Sequence, residues 1–354
     1  MNRKTLALLI AVVTFTVGIA VTKLSLPLMR SDTGIPPMGQ PDLMGNDYTL
    51  SGPYTYENLT IFLVHGPDQL NSKQFVPLQE ALERKLVIVH ETSDVNELSI
   101  ENLAKTEEVF VQAGDIVKGG QQDRVLAVDL ILSARSGNIP ISAFCVENGR
   151  WQQRGHEATG LFSYSNDMLA TKDLKVAARQ AKSQTKVWRE VDAAQTRLSA
   201  SVRTDVRSEV SRSSLQLAVE NDKVQESTAS YIKELSSIVE GKSDVIGFVF
   251  AINGKINSAD VYNTNNLFRR LWPKLLRTTA IEAVAERNSN EKKQTVTQNS
   301  ILSFFADANR GQESTNEITH RTHMIKLESE KSLFFETRDM AQKGFWVHRS
   351  YIAK

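Results

Sequence analysis

Val109-Phe-Val-Gln-Ala-Gly-Asp-Ile-Val-Lys-Gly-Gly-Gln-Gln-Asp-Arg-Val-Leu126 is the stretch on which the fold turns. An alternating apolar run enters Gly119-Gly120 and leaves through Gln121, Gln122, Asp123 and Arg124 into a second apolar run. Two such runs around a glycine pair predict a β-hairpin. The turn predicts positive φ at Gly120, a backbone shape that a side chain resists. The predicted tip carries an amide, a carboxylate and a guanidinium close together.

Strand-like runs flank this hairpin on both sides. Leu59-Thr-Ile-Phe-Leu-Val64, Leu86-Val-Ile-Val-His-Glu91, Glu97-Leu-Ser-Ile-Glu-Asn102 and residues 139–146 are apolar or alternating. One short helix is predicted over 76–85, with Pro77 in its first turn. Frequent strands with a single helix predict antiparallel sheets, not a wound parallel sheet.

Residues 166–240 read as a helical block. Leu174, Ala177, Ala178, Ala181, Trp188 and Val191 form one stripe, and Tyr231, Ile232, Leu235, Ile238 and Val239 another. Between them, 196–214 is rich in Ser, Thr and Arg and reads as a mobile loop or a solvated helix. Residues 247–262 form a second hairpin, turned at Asn253-Gly254. A helix is predicted over 266–286, kinked or restarted at Pro273. Polar loop follows over 287–315, with a short turn at 301–305. The last strands are 324–327, 333–337 and 345–352. The fold class is α+β: a mostly antiparallel β body with an inserted helical region, in one domain over 49–354 that closes on itself.

The chain has 354 residues, 41% hydrophobic and 23% charged, enough for a sizeable core. A formal net charge of +1 gives no global field to recruit nucleic acid. Arg3 and Lys4 stand before an uncharged apolar run from Thr5 to Val21. Residues 1–23 therefore read as a signal peptide, with Gly18 and Ala20 as small residues at a cleavage site, or as an uncleaved transmembrane anchor. Either places the body outside the cytoplasm, periplasmic or at the cell surface, secreted or membrane-anchored. Residues 24–48 hold four prolines and three glycines and read as a flexible linker. Cys145 is the single cysteine, so no intramolecular disulfide forms, and its apolar neighbours predict a buried, inert thiol.

Candidate binding residues fall in two clusters. Gly119 and Gly120 present Gln122, Asp123 and Arg124, where the guanidinium suits a carboxylate or phosphate and the amide and acid suit hydroxyls. The bland alternative is an Asp-Arg pair pinning the turn. Glu147, Arg150 and Trp151 form the second cluster, where stacking plus a cation suits a sugar or nucleobase. Its alternative is a strand-end salt bridge beside a core Trp. No histidine set has metal-ligand spacing, no metal or other cofactor is predicted, and no nucleophile motif is present. Arg338, Asp339, His348 and Arg349 would meet the hairpin tip if the sheet closes there. Arg270, Lys274 and Arg277 share one face of their helix, which reads as a solvated face.

Four motifs resemble a known bacterial family. They are Gly114-Asp-Ile-Val-Lys-Gly-Gly-Gln-Gln-Asp-Arg124, Cys145-Val-Glu-Asn-Gly-Arg-Trp151, Gln184-Thr-Lys-Val-Trp188, and Ala251-Ile-Asn-Gly-Lys255 running on to 267–276. Thr337-Arg-Asp339 and Trp346-Val-His-Arg-Ser-Tyr351 belong with them. From about residue 50 onward the chain looks like the ARG and rhodanese-phosphatase-superfamily-associated protein domain. The association in that name implies a link to NAD or ADP-ribose metabolism, which an export signal opposes. The expected function is an extracytoplasmic, non-catalytic binding or interaction module for a small polar ligand or a protein partner. The alternative is a hydrolase or related enzyme on an ADP-ribose-like or nucleotide-sugar substrate. There Asp123 or Glu147 would act as base, with Arg124 or Arg150 holding the anion.

Overall fold

The computed structural model describes residues 48–69, 74–92, 94–149, 162–287 and 295–354. The predicted signal or anchor (1–23) and all of the linker but Tyr48 lie outside the described residues.

The first part supplies β1 (Thr49–Tyr56), β2 (Leu59–His65), β3 (Phe75–Pro77), α1 (Leu78–Glu83), β4 (Val87–Glu91) and β5 (Glu97–Asn102). It continues through β6 (Glu108–Val111), β7 (Asp115–Gly119), β8 (Arg124–Leu126), β9 (Leu130–Leu132) and β10 (Asn138–Cys145). β11 (Phe162–Leu169) precedes α2 (Lys172–Lys175), a π-helical turn at 176–180, α3 (Gln184–Val202), α4 (Leu215–Val219), α5 (Asp222–Leu235) and a 3₁₀ turn at 236–239. The last part holds β12 (Val245–Ile252), β13 (Lys255–Tyr262), α6 (Asn265–Ala285), α7 (Gln298–Ala308), β14 (Gln312–Glu317), β15 (Thr322–Glu328), β16 (Ser332–Asp339) and β17 (Phe345–Ala353).

Early and late strands share one eight-stranded sheet, in the order β1-β2-β12-β13-β17-β16-β15-β14. A six-stranded sheet runs β11-β7-β8-β10-β5-β4, and β3-β6-β9 form a third. Among the described strands the pairings are antiparallel except β3 with β6.

Alternation explains how the large sheet is covered on both faces. Leu59, Ile61 and Leu63 of β2 and Phe248, Phe250 and Ile252 of β12 pack with α3, α5 and α6. Phe62, Val64, Val249 and Ala251 point the other way and pack with Ile301 and Phe305 of α7. The strands therefore read as continuous apolar runs. On the first face Phe248 meets the edge of Trp272 at 5.6 Å between ring centroids. Such a pair adds about 0.5–1.5 kcal/mol beyond its burial. The inserted helices thus lie on the sheet, and a separate core from Val76 to Ala143, with Phe162 of β11, joins the smaller sheets.

Several local expectations are corrected. The helical block begins as a strand, β11, and its helices start only at Lys172. α3 runs on to Val202 and stops where Arg203 adopts φ +56°, so the irregular link covers 203–214. Pro273 does not end or restart the helix: α6 is continuous from Asn265 to Ala285. The predicted loop at 287–315 contains α7 and β14. Thr297 and Ser300 form a capping box for α7, and Ile301, Phe305 and Ala308 bury its inner face. β14 is exposed at every residue, so only main-chain pairing to β15 marks it.

Candidate functional site

The β7–β8 hairpin forms with the predicted backbone. Ile116 pairs with Val125 and Val117 with Arg124. Gly119 has φ +117° and Gly120 φ +53°. A Cβ at Gly120 would lie 2.5 Å from Glu91 Oε1, so the glycine also makes room for a β4 carboxylate. That carboxylate accepts the Gln121 N–H at 2.9 Å through Oε1 and stands 3.4 Å from Arg124 Nη2 through Oε2.

The tip is not a surface. Gln122, Asp123 and Arg124 are buried, with relative exposures of 0%, 1% and 1%. Arg124 Nη1 donates to Gln122 Oε1 at 3.1 Å. Asp123 does not pin Arg124: its Oδ1 accepts the Gly119 N–H at 3.0 Å, and its main-chain oxygen accepts the Val146 N–H at 3.0 Å. Among the described residues, two buried donors, Arg124 Nε and Gln122 Nε2, have no acceptor.

The end of β10 and the start of α3 meet this hairpin. Cys145 pairs with Arg124 across the strands. Gln184 Oε1 accepts the Cys145 N–H at 2.8 Å, and Gln184 Nε2 donates to the Cys145 carbonyl at 2.7 Å. Burial pushes the Cys145 thiol up, as an inert thiol requires. Glu147 is fully buried and engaged within the fold. Arg150 and Trp151 lie outside the described residues. Next to Glu147, a pocket of about 300 Å³ is lined by Asn148, Trp188, Asp192, Arg207 and Arg212.

Hydrogen bonds frame this pocket. Arg207 donates to Asp192 Oδ1 and Thr196 Oγ1, both at 2.9 Å. Arg212 donates to Asp205 Oδ2 at 3.0 Å, and the Ser213 hydroxyl donates to the Asn148 carbonyl at 2.6 Å. Gln195 donates to the carbonyls of Arg212 and Ser214, pinning the 203–214 link to α3. The Trp188 indole N–H is buried beside the pocket and has no acceptor among the described residues. Two of the quoted motifs supply lining residues here, Asn148 and Trp188, although they are far apart in sequence.

A family model covers residues 47–352, from just before the first strand into the last. The chain belongs to the ARG and Rhodanese-Phosphatase-superfamily-associated Protein domain family. No curated protein and no solved structure matches it.

Within this family domain the closing motif does not reach the hairpin tip. His348 lies 2.9 Å from Asp129 Oδ2 through Nδ1 and 3.1 Å from Asp260 Oδ1 through Nε2. Asp129 also accepts from the Ala113 N–H at 2.7 Å and from Thr337 Oγ1 at 2.5 Å, with Arg179 at 3.4 Å. Burial would raise the Asp129 carboxyl, but Arg179 and His348 outweigh it and hold it far below the usual range. Asp260, beside Lys175 and His348, falls to about 2 against the same burial. Burial disfavours the charged form of His348, yet the two carboxylates raise its pKa. This hub has no reading in the sequence beyond His348 itself. Arg338 and Arg349 both pair with Glu336, and Asp339 pairs with Arg321.

The solvated-face reading of α6 is also corrected. Lys274 is 6% exposed and donates to Asp115 Oδ1 at 2.8 Å. Arg270 Nε donates to Glu80 at 3.0 Å and its Nη1 to the Phe75 carbonyl at 2.8 Å, while Arg277 donates to Gln225 at 2.9 Å. Among the described residues, no group of three or more His, Cys, Asp or Glu is placed to hold a metal ion.

Proposed function

We propose that this family member is a non-catalytic binding module whose pocket at Trp188 takes a small polar ring, such as a sugar or a nucleobase. The observation that carries this reading is the buried Trp188 N–H, without an acceptor among the described residues, beside a pocket. Buried indoles normally find a partner for that group, and leaving one unpaired costs about 1–3 kcal/mol. A carbonyl or hydroxyl oxygen on the ligand would accept it. Arg207 and Arg212, each paired with an aspartate at the pocket rim, would add hydrogen bonds to the ligand.

The hydrolase alternative has less support. Its proposed base Asp123 is buried with its carboxylate accepting the Gly119 N–H, and Glu147 is fully buried and engaged. Arg124 is turned toward Glu91 and Gln122. These residues read better as the frame behind the pocket.

Location outside the cytoplasm is part of the proposal and rests on Arg3, Lys4 and the apolar run that follows. Fusing residues 1–48 to a reporter active only after export tests it, and a cytoplasmic reporter would reject it. The binding reading is tested by a thermal-shift screen of monosaccharides, nucleosides and ADP-ribose. Trp188→Phe keeps a ring but removes the N–H. It should weaken binding by about 0.5–1.5 kcal/mol, the net worth of one hydrogen bond. Unchanged affinity in that variant, or no ligand among the three classes, would reject the reading.

A further inference from the structure

Away from Trp188, a groove of about 650 Å³ runs between α1, α6 and the 3₁₀ turn at 236–239. That size falls within the range of small-molecule sites. Its most buried charged groups are Lys274 and Asp115, contributed by two of the family motifs. An ammonium has three donors. Among the described residues, Asp115 Oδ1 is the one acceptor given to Lys274. The second Asp115 oxygen already takes the Gln112 N–H at 2.8 Å. Pro273 lines the same groove and has no N–H, so it offers no helical donor to the Arg269 carbonyl one turn earlier.

The lining combines donors, an acceptor and balanced charge. Four cationic side chains of α6 face four carboxylates, among which Glu80 and Asp115 form direct ion pairs. A polyanion gains little from such a lining, whereas a zwitterion meets both signs. Ile232, Val239 and Leu276 add an apolar wall.

We propose that this groove binds a free amino acid or dipeptide with an apolar side chain. The ligand carboxylate takes the remaining donors of Lys274. Its ammonium faces the Arg269 carbonyl and the acidic rim, and its side chain lies on the apolar wall. The site is separate from the Trp188 pocket, and neither reading depends on the other.

Isothermal titration of the full-length protein with leucine, leucyl-leucine, octanoate and pyrophosphate tests the proposal. Leucine or leucyl-leucine should bind, octanoate at least tenfold more weakly, and pyrophosphate not at all. Ser236 is exposed and lines the groove, and its main-chain carbonyl, not its side chain, holds the Trp272 N–H. Ser236→Trp should therefore fill the groove, weaken binding tenfold or more and leave the melting temperature unchanged. Absence of heat with both leucine ligands at millimolar concentration would overturn the proposal. So would octanoate or pyrophosphate binding as tightly as the leucine ligands, or unchanged affinity in Ser236→Trp.

Discussion

Gln184 clasps both main-chain groups of Cys145, accepting its N–H at 2.8 Å and donating to its carbonyl at 2.7 Å. One side-chain amide thus supplies what a neighbouring strand would supply, and it fastens the first turn of α3 to the end of β10. Cys145 is 1% exposed, so water cannot replace the clasp without local opening. Gln184→Ala should destabilise the protein by about 1–3 kcal/mol, the cost of leaving a buried group unpaired. Gln184→Glu keeps the reach but lacks the donor and should also destabilise. Urea denaturation at neutral pH checks both, and a loss under about 0.5 kcal/mol in the alanine variant would rule out this role for the clasp.

The sequence is legible where a signal is local. The Gly119-Gly120 and Asn253-Gly254 turns announce themselves, because positive φ restricts which residues fit, and both adopt it. Apolar runs mark β2, β4 and β12 because burial leaves a periodic trace. Partners remote in sequence leave none: His348 meets residues 219 and 88 positions away. Lys274 looks like part of a basic stripe until Asp115, 159 residues earlier, folds beneath it. Likewise, Gln122, Asp123 and Arg124 look like a polar tip because side-chain type does not reveal that β4 and β10 close over the turn.

Gly120 gives a quantitative contrast with Gly137. Both have positive φ, +53° and +63°. A Cβ at Gly120 would meet Glu91 Oε1 at 2.5 Å and Phe162 at 2.6 Å, whereas at Gly137 it would meet nothing within 4 Å. Gly137→Ala should cost about 1 kcal/mol, the left-handed penalty alone. Gly120→Ala should cost more than about 2 kcal/mol, because overpacking adds to that penalty. Equal losses in parallel thermal melts would show that the crowding at Gly120 relaxes freely.

Arg124 holds Gln122 with one terminal nitrogen and faces Glu91 with the other. Lysine keeps the charge but has no planar fork to reach both. Arg124→Lys should lower stability by about 1–3 kcal/mol, the scale of hydrogen bonds involving a charged group. Ligand affinity of the folded fraction should stay unchanged, since Arg124 is part of the frame in this reading. Chemical denaturation and a binding titration on the same sample separate the two effects. An unchanged melt with weakened binding would return Arg124 to the set of ligand contacts.

Glu282 on α6 provides a pH-dependent test. Burial raises its carboxyl to about 7, against the opposing pull of Lys175 and the hydrogen bonds from the Lys172 N–H and Asn257. A carboxyl whose pKa rises on folding holds its proton more tightly in the folded state. Its contribution to stability is therefore full below the unfolded value of 4.5 and is lost as pH rises through about 7. The difference corresponds to roughly 3 kcal/mol at most. Glu282→Gln cannot ionise, and a flipped Asn257 would accept from the new amide through Oδ1, which has no partner now. The variant should be the more stable form above about pH 7.5, and its advantage should shrink steadily toward about pH 5. Urea melts across that range compare the two proteins. The groups they share, His348 among them, titrate in both and cancel in the difference. Parallel stability curves would mean that Glu282 titrates normally in the folded protein.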